Sequence, residues 1–317
     1  MSSIPAASPA SAPPPAAGIQ ELDATPVALG GPRGLAVGRT LPHRQRRMVG
    51  AWCFLDAYGP HRLAGSPGMR VGPHPHTGLQ TVSWLMAGEI LHRDSLGNNR
   101  EIRPGQLNLM TAGRGIAHAE ESPAARSDVL HGVQLWVALP GPDRDVPPAF
   151  AHHPDLPVVI DGGLSATVLM GEFGGAVSPA RCHTPLVGAE LTLAAGAAAR
   201  LELRPDFEYA VLPVDGAARL NGVALRTGPL YHLDAGRREL RLDADTPARL
   251  MLLGGEPFDE RIVMWWNFVA RDHDEIVQAR EEWRTGSRFG EVHGYDGGPL
   301  PAPPMPTTRL LPRGRVR

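Results

Sequence analysis

From about residue 28 onward the chain is cut repeatedly by Gly, Pro, Asn or Asp. Between the cuts it runs apolar or alternating for only a few residues, as in Gln80–Met86, Gln106–Met110, Val133–Leu139, Val158–Ile160, Ala166–Met170, Leu191–Ala194, Tyr209–Val214 and Arg249–Leu253. Proline breaks a helix and glycine weakens one, so 37 Gly and 33 Pro in 317 residues favour many short elements over long helices. Short strands at regular spacing with turn signals between them are the pattern of a β-sandwich or barrel.

The organisation follows from shifts in that pattern. Residues 1–24 read as an Ala/Pro/Ser-rich tail, expected to be disordered. A first lobe is expected over 25–150 and a second over 151–270, joined through the Pro-rich stretch Asp145–Pro157. Residues 271–317 are read as a helix and a Pro/Arg-rich tail, extended from Gly297. The helix is expected over Asp272–Arg284, where Ile276, Ala279, Arg280 and Trp283 share one face. Asp272 or Asp274 is placed to cap it and Gly286 to stop it. A faint internal repeat aligns the strand ending at Gly88 with the one ending at Gly216. Counting back equally puts Glu202 and Arg204 where His74 and His76 stand, so a duplicated second lobe would have lost its ligands.

Charge and composition narrow the partners. The net charge is −2, and all 31 basic residues are Arg, with no basic face announced; direct nucleic-acid binding is not expected. Only Cys53 and Cys182 occur, which is no disulfide framework and suits a reducing cytoplasm. The N-terminus lacks the form of a secretory leader, and no run reaches the ~18 apolar residues of a membrane helix. The expectation is a cytoplasmic protein without a membrane partner.

The chemistry concentrates in Gly72–Glu121. His74 and His76 form one i, i+2 pair and His118 and Glu120 another. Residues two apart on a strand face the same side, roughly 6.6 Å apart. Two such pairs facing each other supply three imidazoles and a carboxylate, a set suited to a divalent first-row metal such as Fe, Ni, Cu, Mn, Co or Zn. Four protein ligands on a six-coordinate ion leave two positions open. A structural zinc would more often use thiolates, and this segment has none. A single His-x-His is often only a hydrogen-bonded pair, and His152–His153 shows that paired histidines also occur without this spacing. His92 and His131 read as framework residues. The second pair, after the Pro104–Gly105 turn, is what favours a site.

Several segments carry a family resemblance: PHPHTGLQTVSWLMAGEILHRDSLGN (73–98), RPGQLNLMTAGRGIAHAE (103–120), RRMVGAWCFLDAYGP (46–60), HGVQLWVALP (131–140) and GEPFDERIVMWWNFV (255–269). Together they resemble the pirin family of the cupin superfamily. The resemblance implies an all-β bicupin, with two antiparallel jelly-roll barrels packed together and a short C-terminal helix. It implies one metal in the N-terminal barrel, usually Fe(II), held by His74, His76, His118 and Glu120. The sequence departs from the family at Gln80, where many cupins and pirins carry Glu. Gln80 shares strand parity with the two histidines if no bulge intervenes, which makes it a candidate to hydrogen-bond a ligand in the pocket. Thr77 and Leu79 replace residues that are often Arg and Phe, altering the pocket rim.

Two functions are consistent with the resemblance. One is an iron-dependent dioxygenase of the quercetin 2,3-dioxygenase type, taking a flavonol and dioxygen, with Glu120 in a catalytic role. The other is an iron-dependent regulatory protein that binds a transcription factor or metabolic enzyme.

Overall fold

A computed structural model describes residues 18–29 and 35–316. A first short strand, β1 (Ile19–Leu22), is followed by the N-terminal lobe: β2 (Thr25–Leu29), β3 (Leu35–Leu41), β4 (Trp52–Arg62), β5 (Arg70–His76), β6 (Leu79–Ala87), β7 (Ile90–Asp94), β8 (Asn99–Ile102), β9 (Leu107–Thr111), β10 (Ile116–Glu121), β11 (Val129–Ala138) and β12 (Ala149–His153). The C-terminal lobe holds β13 (Val158–Asp161), β14 (Leu164–Phe173), β15 (Ala176–Val177), β16 (Leu186–Leu193), β17 (Ala197–Glu202), β18 (Glu208–Asp215), β19 (Arg219–Leu220), β20 (Val223–Ala224), β21 (Leu230–Leu233), β22 (Glu239–Ala244) and β23 (Ala248–Gly255). A small hairpin, β24 (Val263–Trp265) and β25 (Phe268–Ala270), leads to the helix α1 (His273–Thr285).

Each lobe is a pair of antiparallel sheets. In the first, β12-β9-β6-β11-β4-β3-β2 packs with β5-β10-β7-β8; in the second, β1-β21-β18-β23-β16-β14-β13 packs with β17-β22-β19-β20. The two orders match strand for strand, so the faint repeat in the sequence is a duplication of topology. The sheets stay open at their edges, making jelly-roll sandwiches in place of closed barrels.

The expected tail over 1–24 differs from the structure at its end. Residues 1–17 lie outside the described residues, while Ile19–Leu22 pairs with β21 of the other lobe and buries Leu22 completely. Those four residues pair along their whole length with β21 and are anchored by the buried leucine, adding an edge strand where β12 stands in the first lobe.

The two large sheets pack back to back. Trp52 donates Nε1–H to the carbonyls of Val187 and Gly254, and Trp84 donates to Glu190 Oε2 at 2.9 Å. One apolar cluster runs through this contact, from Trp52, Trp84 and Met110 to Leu169, Leu212 and Met251. Strand β6 is therefore buried on both faces, and its polar side chains Gln80, Thr81 and Ser83 are buried along with its apolar ones.

The second lobe's interior is apolar. Ala197, Ala199 and Leu201 on β17 and Leu240 and Leu242 on β22 point inward, whereas Glu202 and Arg204 face solvent. The positions equivalent to the histidines thus hold aliphatic side chains, one residue away from those found by counting back. Residues 203–207 link β17 to β18, against only 77–78 between β5 and β6.

Helix α1 matches its sequence signals. Asp272 caps it through Oδ1 to the amides of Asp274 and Glu275, and Gly286 closes it at φ 72°. Ile276 and Ala279 are buried. The chain then runs extended across the first lobe. Leu300 N–H donates to the Pro73 carbonyl, Trp283 Nε1–H donates to the Leu300 carbonyl, and Arg315 reaches Glu208. No helix among the described residues is long and apolar enough to cross a membrane.

Candidate metal centre

Strand β5 is the edge of its sheet, so Pro73 and Pro75 are tolerated there despite lacking an N–H. Its neighbour β10 pairs antiparallel, with His118 directly opposite His74 and Ile116 opposite His76. The three imidazoles meet on the inner face of the sandwich, with ring centroids 4.4–5.0 Å apart. Their donor nitrogens lie within 4.8 Å of one another, and the Nε2 atoms of His76 and His118 are 3.1 Å apart.

The second ring nitrogens fix the tautomers. His74 Nδ1–H donates to the Gly72 carbonyl at 2.8 Å, and His76 Nδ1–H donates to the Asn267 carbonyl at 3.1 Å. His118 Nδ1 faces His92 Nδ1 at 3.4 Å, and the far side of the His92 ring meets Asp94 Oδ2 at 3.1 Å. Asp94 is itself held by donors from Leu96 and Asn98, and His92 stacks on Phe150 at 4.4 Å. A carboxylate accepts only, so His92 donates from Nε2 to Asp94 and accepts from His118 Nδ1–H. All three cluster histidines then present bare Nε2 lone pairs to one point. Burial keeps them neutral: His74 is pushed down to about 4, and His76 and His118 well below the usual imidazole range, with the neighbouring rings adding to the effect. Converging lone pairs repel unless a cation sits among them, so this donor set fits a divalent metal.

Glu120 stands one rung further on, past an irregularity in the β5–β10 register between His118 and Glu120. Its carboxylate groups with His118 and His92, outside the three-histidine group, and accepts from Ser83 Oγ at 3.1 Å. Burial raises its pKa, while His92 and the Ser83 hydroxyl pull it back.

Gln80 lies elsewhere. Its side-chain amide donates to Thr111 Oγ1 and to the Arg181 carbonyl of the second lobe. Strand parity does not carry from β5 into β6, because Thr77 and Gly78 break the chain between them. Gly78 has φ 67°, and a Cβ there would stand 2.3 Å from the Val269 carbonyl oxygen, so only glycine fits the turn. Gln80, Trp84 and Met86 consequently point toward the other lobe.

His74, His76, His118 and Glu120 share a cavity of about 500 Å³. Phe54 and Trp136 stack in its lining at 3.9 Å, and Trp136 meets His76 edge-on. The hairpin tip Trp266–Asn267, the segment Leu300–Pro301 and Arg39 also line it. Sequence reading missed Asn267 because its contribution is a backbone carbonyl, which any residue could supply. His92 read as framework, but its place on β7 beside β10 makes it the partner of His118. A third acidic and histidine grouping, Glu208, His232 and Asp234, already receives Arg46 and Arg315 and is an ion-pair network.

A duplicated jelly roll with one histidine-lined cavity and one apolar interior defines a bicupin. Residues 34–137 match the Pirin family model and residues 188–290 the Pirin C-terminal cupin domain model. The chain belongs to the pirin family. It is 48% identical to the Pseudomonas aeruginosa protein named "Putative quercetin 2,3-dioxygenase", over 91% of each chain. It resembles a crystal structure of quercetin 2,3-dioxygenase from Acinetobacter baumannii with a TM-score of 0.88 and 45% identity, covering 92% of this chain and 98% of that one. A bacterial pirin from Escherichia coli in complex with nickel(II) shares the fold, with a TM-score of 0.58 at 18% identity, covering 75% and 99% of the two chains.

Proposed function

We propose that this chain is an iron-dependent dioxygenase that opens flavonols, with His74, His76, His118 and Glu120 as the metal ligands. The observation that carries the reading is the convergence of three neutral Nε2 atoms in a cavity lined on one part by stacked aromatics. A volume of about 500 Å³ lies within the range of small-molecule sites, ~300–1,000 Å³. The names of the similar proteins from Pseudomonas and Acinetobacter support the same substrate class.

A divalent iron bound here would supply Lewis-acid and redox chemistry and fix the substrate's orientation. The protein's own groups do the rest. Glu120, made more basic by burial, takes the proton of the flavonol 3-hydroxyl on the carboxylate oxygen not bonded to Ser83. The Phe54–Trp136 stack gives the flat ring system an apolar wall, and the buried setting excludes water from the activated ring.

The test is anaerobic reconstitution with Fe(II), addition of quercetin and oxygen, and measurement of flavonol loss and carbon monoxide release. Turnover that disappears in His76→Ala supports the reading. No turnover with stoichiometric iron bound would sink it in favour of a regulatory, partner-binding role.

A further inference from the structure

Two non-glycine residues among those described have left-handed backbone, Asn221 at φ 49° and Trp266 at φ 52°. Asparagine tolerates that region; a bulky aromatic is an outlier there. Trp266 is the first of two central residues in the turn joining β24 to β25, and Asn267, the second, keeps negative φ. That is the type II′ pattern, whose first central position ordinarily goes to glycine.

The hydrogen bonds this turn makes to the metal barrel all use its backbone. The Asn267 carbonyl accepts from His76 Nδ1–H, Val269 N–H donates to the Thr77 carbonyl, and Phe268 bridges Thr77. A glycine at 266 would keep every one of them and relieve the backbone. What the tryptophan adds is its ring, which is half-buried, stands edge-on to Phe268 at 5.5 Å, and lines the metal cavity. The ring also packs against the cluster around Phe268, but an indole held on strained backbone at the boundary of the cavity points to a use for the side chain there as well.

We infer that Trp266 is a specificity-determining residue: its indole is a stacking platform for the planar aromatic ring of a ligand that chelates at the histidine cluster. This deepens the dioxygenase reading and rests on its metal site. The rest of the cavity suits the same ligand class. Phe54 and Trp136 offer a second aromatic surface, and Arg39 lies over Phe54 at 4.4 Å. Arg39 spends Nε and Nη2 on Asp56, which leaves Nη1 to donate to a ligand oxygen. A flat, oxygen-bearing aromatic chelator is therefore favoured over an aliphatic one.

The experiment compares wild type, Trp266→Gly and Trp266→Phe, each loaded with nickel(II) and kept under argon so that binding is read without turnover. Three chelating probes are titrated by absorbance or calorimetry: quercetin, catechol and the ringless acetohydroxamate. Metal stoichiometry and Tm are measured alongside. Trp266→Gly should stay folded and bind nickel as wild type does, with Tm reporting the packing lost against Phe268. It should lose at least about tenfold in affinity for both aromatic probes while keeping acetohydroxamate within about threefold, and Trp266→Phe should retain most of the aromatic affinity. Equal losses for all three probes, unchanged aromatic affinity, or loss of nickel would overturn the inference. If wild type binds catechol but not quercetin, the flavonol reading falls while the role of Trp266 is still decided by catechol. If it binds neither aromatic, both fall.

Discussion

The Nε2 atoms of His76 and His118 stand 3.1 Å apart, each on a ring whose Nδ1–H is committed to another acceptor. Two acceptors held this close favour a cation between them. Added Ni(II) or Fe(II) should raise Tm, and a ligand present at 100 times its Kd stabilises by about 2.7 kcal/mol. His76→Ala and His118→Ala should lose both stoichiometric metal and that stabilisation. Metal analysis and thermal melts with and without chelator check this; an unchanged Tm on loading wild type would count against a site here.

Glu120 sits beside the three-histidine group and not within it, so its roles as ligand and as base are separable. Glu120→Gln keeps the shape and removes the charge. It should retain metal on the three imidazoles with weakened affinity, and lose flavonol turnover by about 10²–10⁴-fold, the usual contribution of a positioned base. Metal content and single-turnover rates measured on the same preparation decide it. Full activity with full metal would remove Glu120 from the chemistry.

The histidine cluster was legible in the sequence because its logic is local: i, i+2 spacing on one strand puts His74 and His76 on one face, and β10 lies next to β5. The duplicated all-β architecture was legible for a similar reason, since turn residues and short runs recur in both halves. What failed was parity carried across breaks. Gln80 shares a face with the histidines only if the chain runs straight, and Gly78 turns it; counting back from Gly216 likewise lands on Glu202, which faces solvent, because two connectors of different length cannot be spanned by an equal count. Asn267 and Trp266 could not be placed at all from local pattern. They arrive from a hairpin beyond the second lobe, and a Trp-Asn turn violates the glycine preference that would have marked it.

Asp94 positions His118, a proposed metal ligand, from two steps away in the hydrogen-bond chain. It orients His92, which fixes the His118 tautomer with Nε2 free. Asp94→Asn replaces an acceptor-only carboxylate with an amide that can donate, so His92 can no longer be held in one protonation pattern. Removal of such an outer partner ordinarily costs about 10–100-fold in metal affinity. Competition against a chelator of known affinity measures the loss. The fold should hold, because Asn98 and Leu96 still meet the remaining oxygen; wild-type affinity would show that His118 needs no such support.

Glu208 joins the two lobes and the C-terminal segment. Its carboxylate, 1% exposed, accepts from the Gly50 amide, Arg46, Arg315 and His232. Burial alone would raise its pKa, but the hydrogen bonds from His232 and Gly50 and the charge of Arg315 outweigh it and hold the group below its ordinary value of 4.5. A depressed folded-state pKa means the unfolded chain binds the extra proton first. The stabilisation is therefore complete above pH 4.5 and is lost as the pH falls through the lower, folded-state value. Glu208→Ala leaves the nearly buried Arg46 guanidinium short of its partner and should cost about 3–5 kcal/mol at neutral pH. Urea midpoints across the acid range should fall less steeply for Glu208→Gln than for wild type. Parallel slopes would mean that the network around Glu208 contributes nothing to the acid sensitivity of the fold.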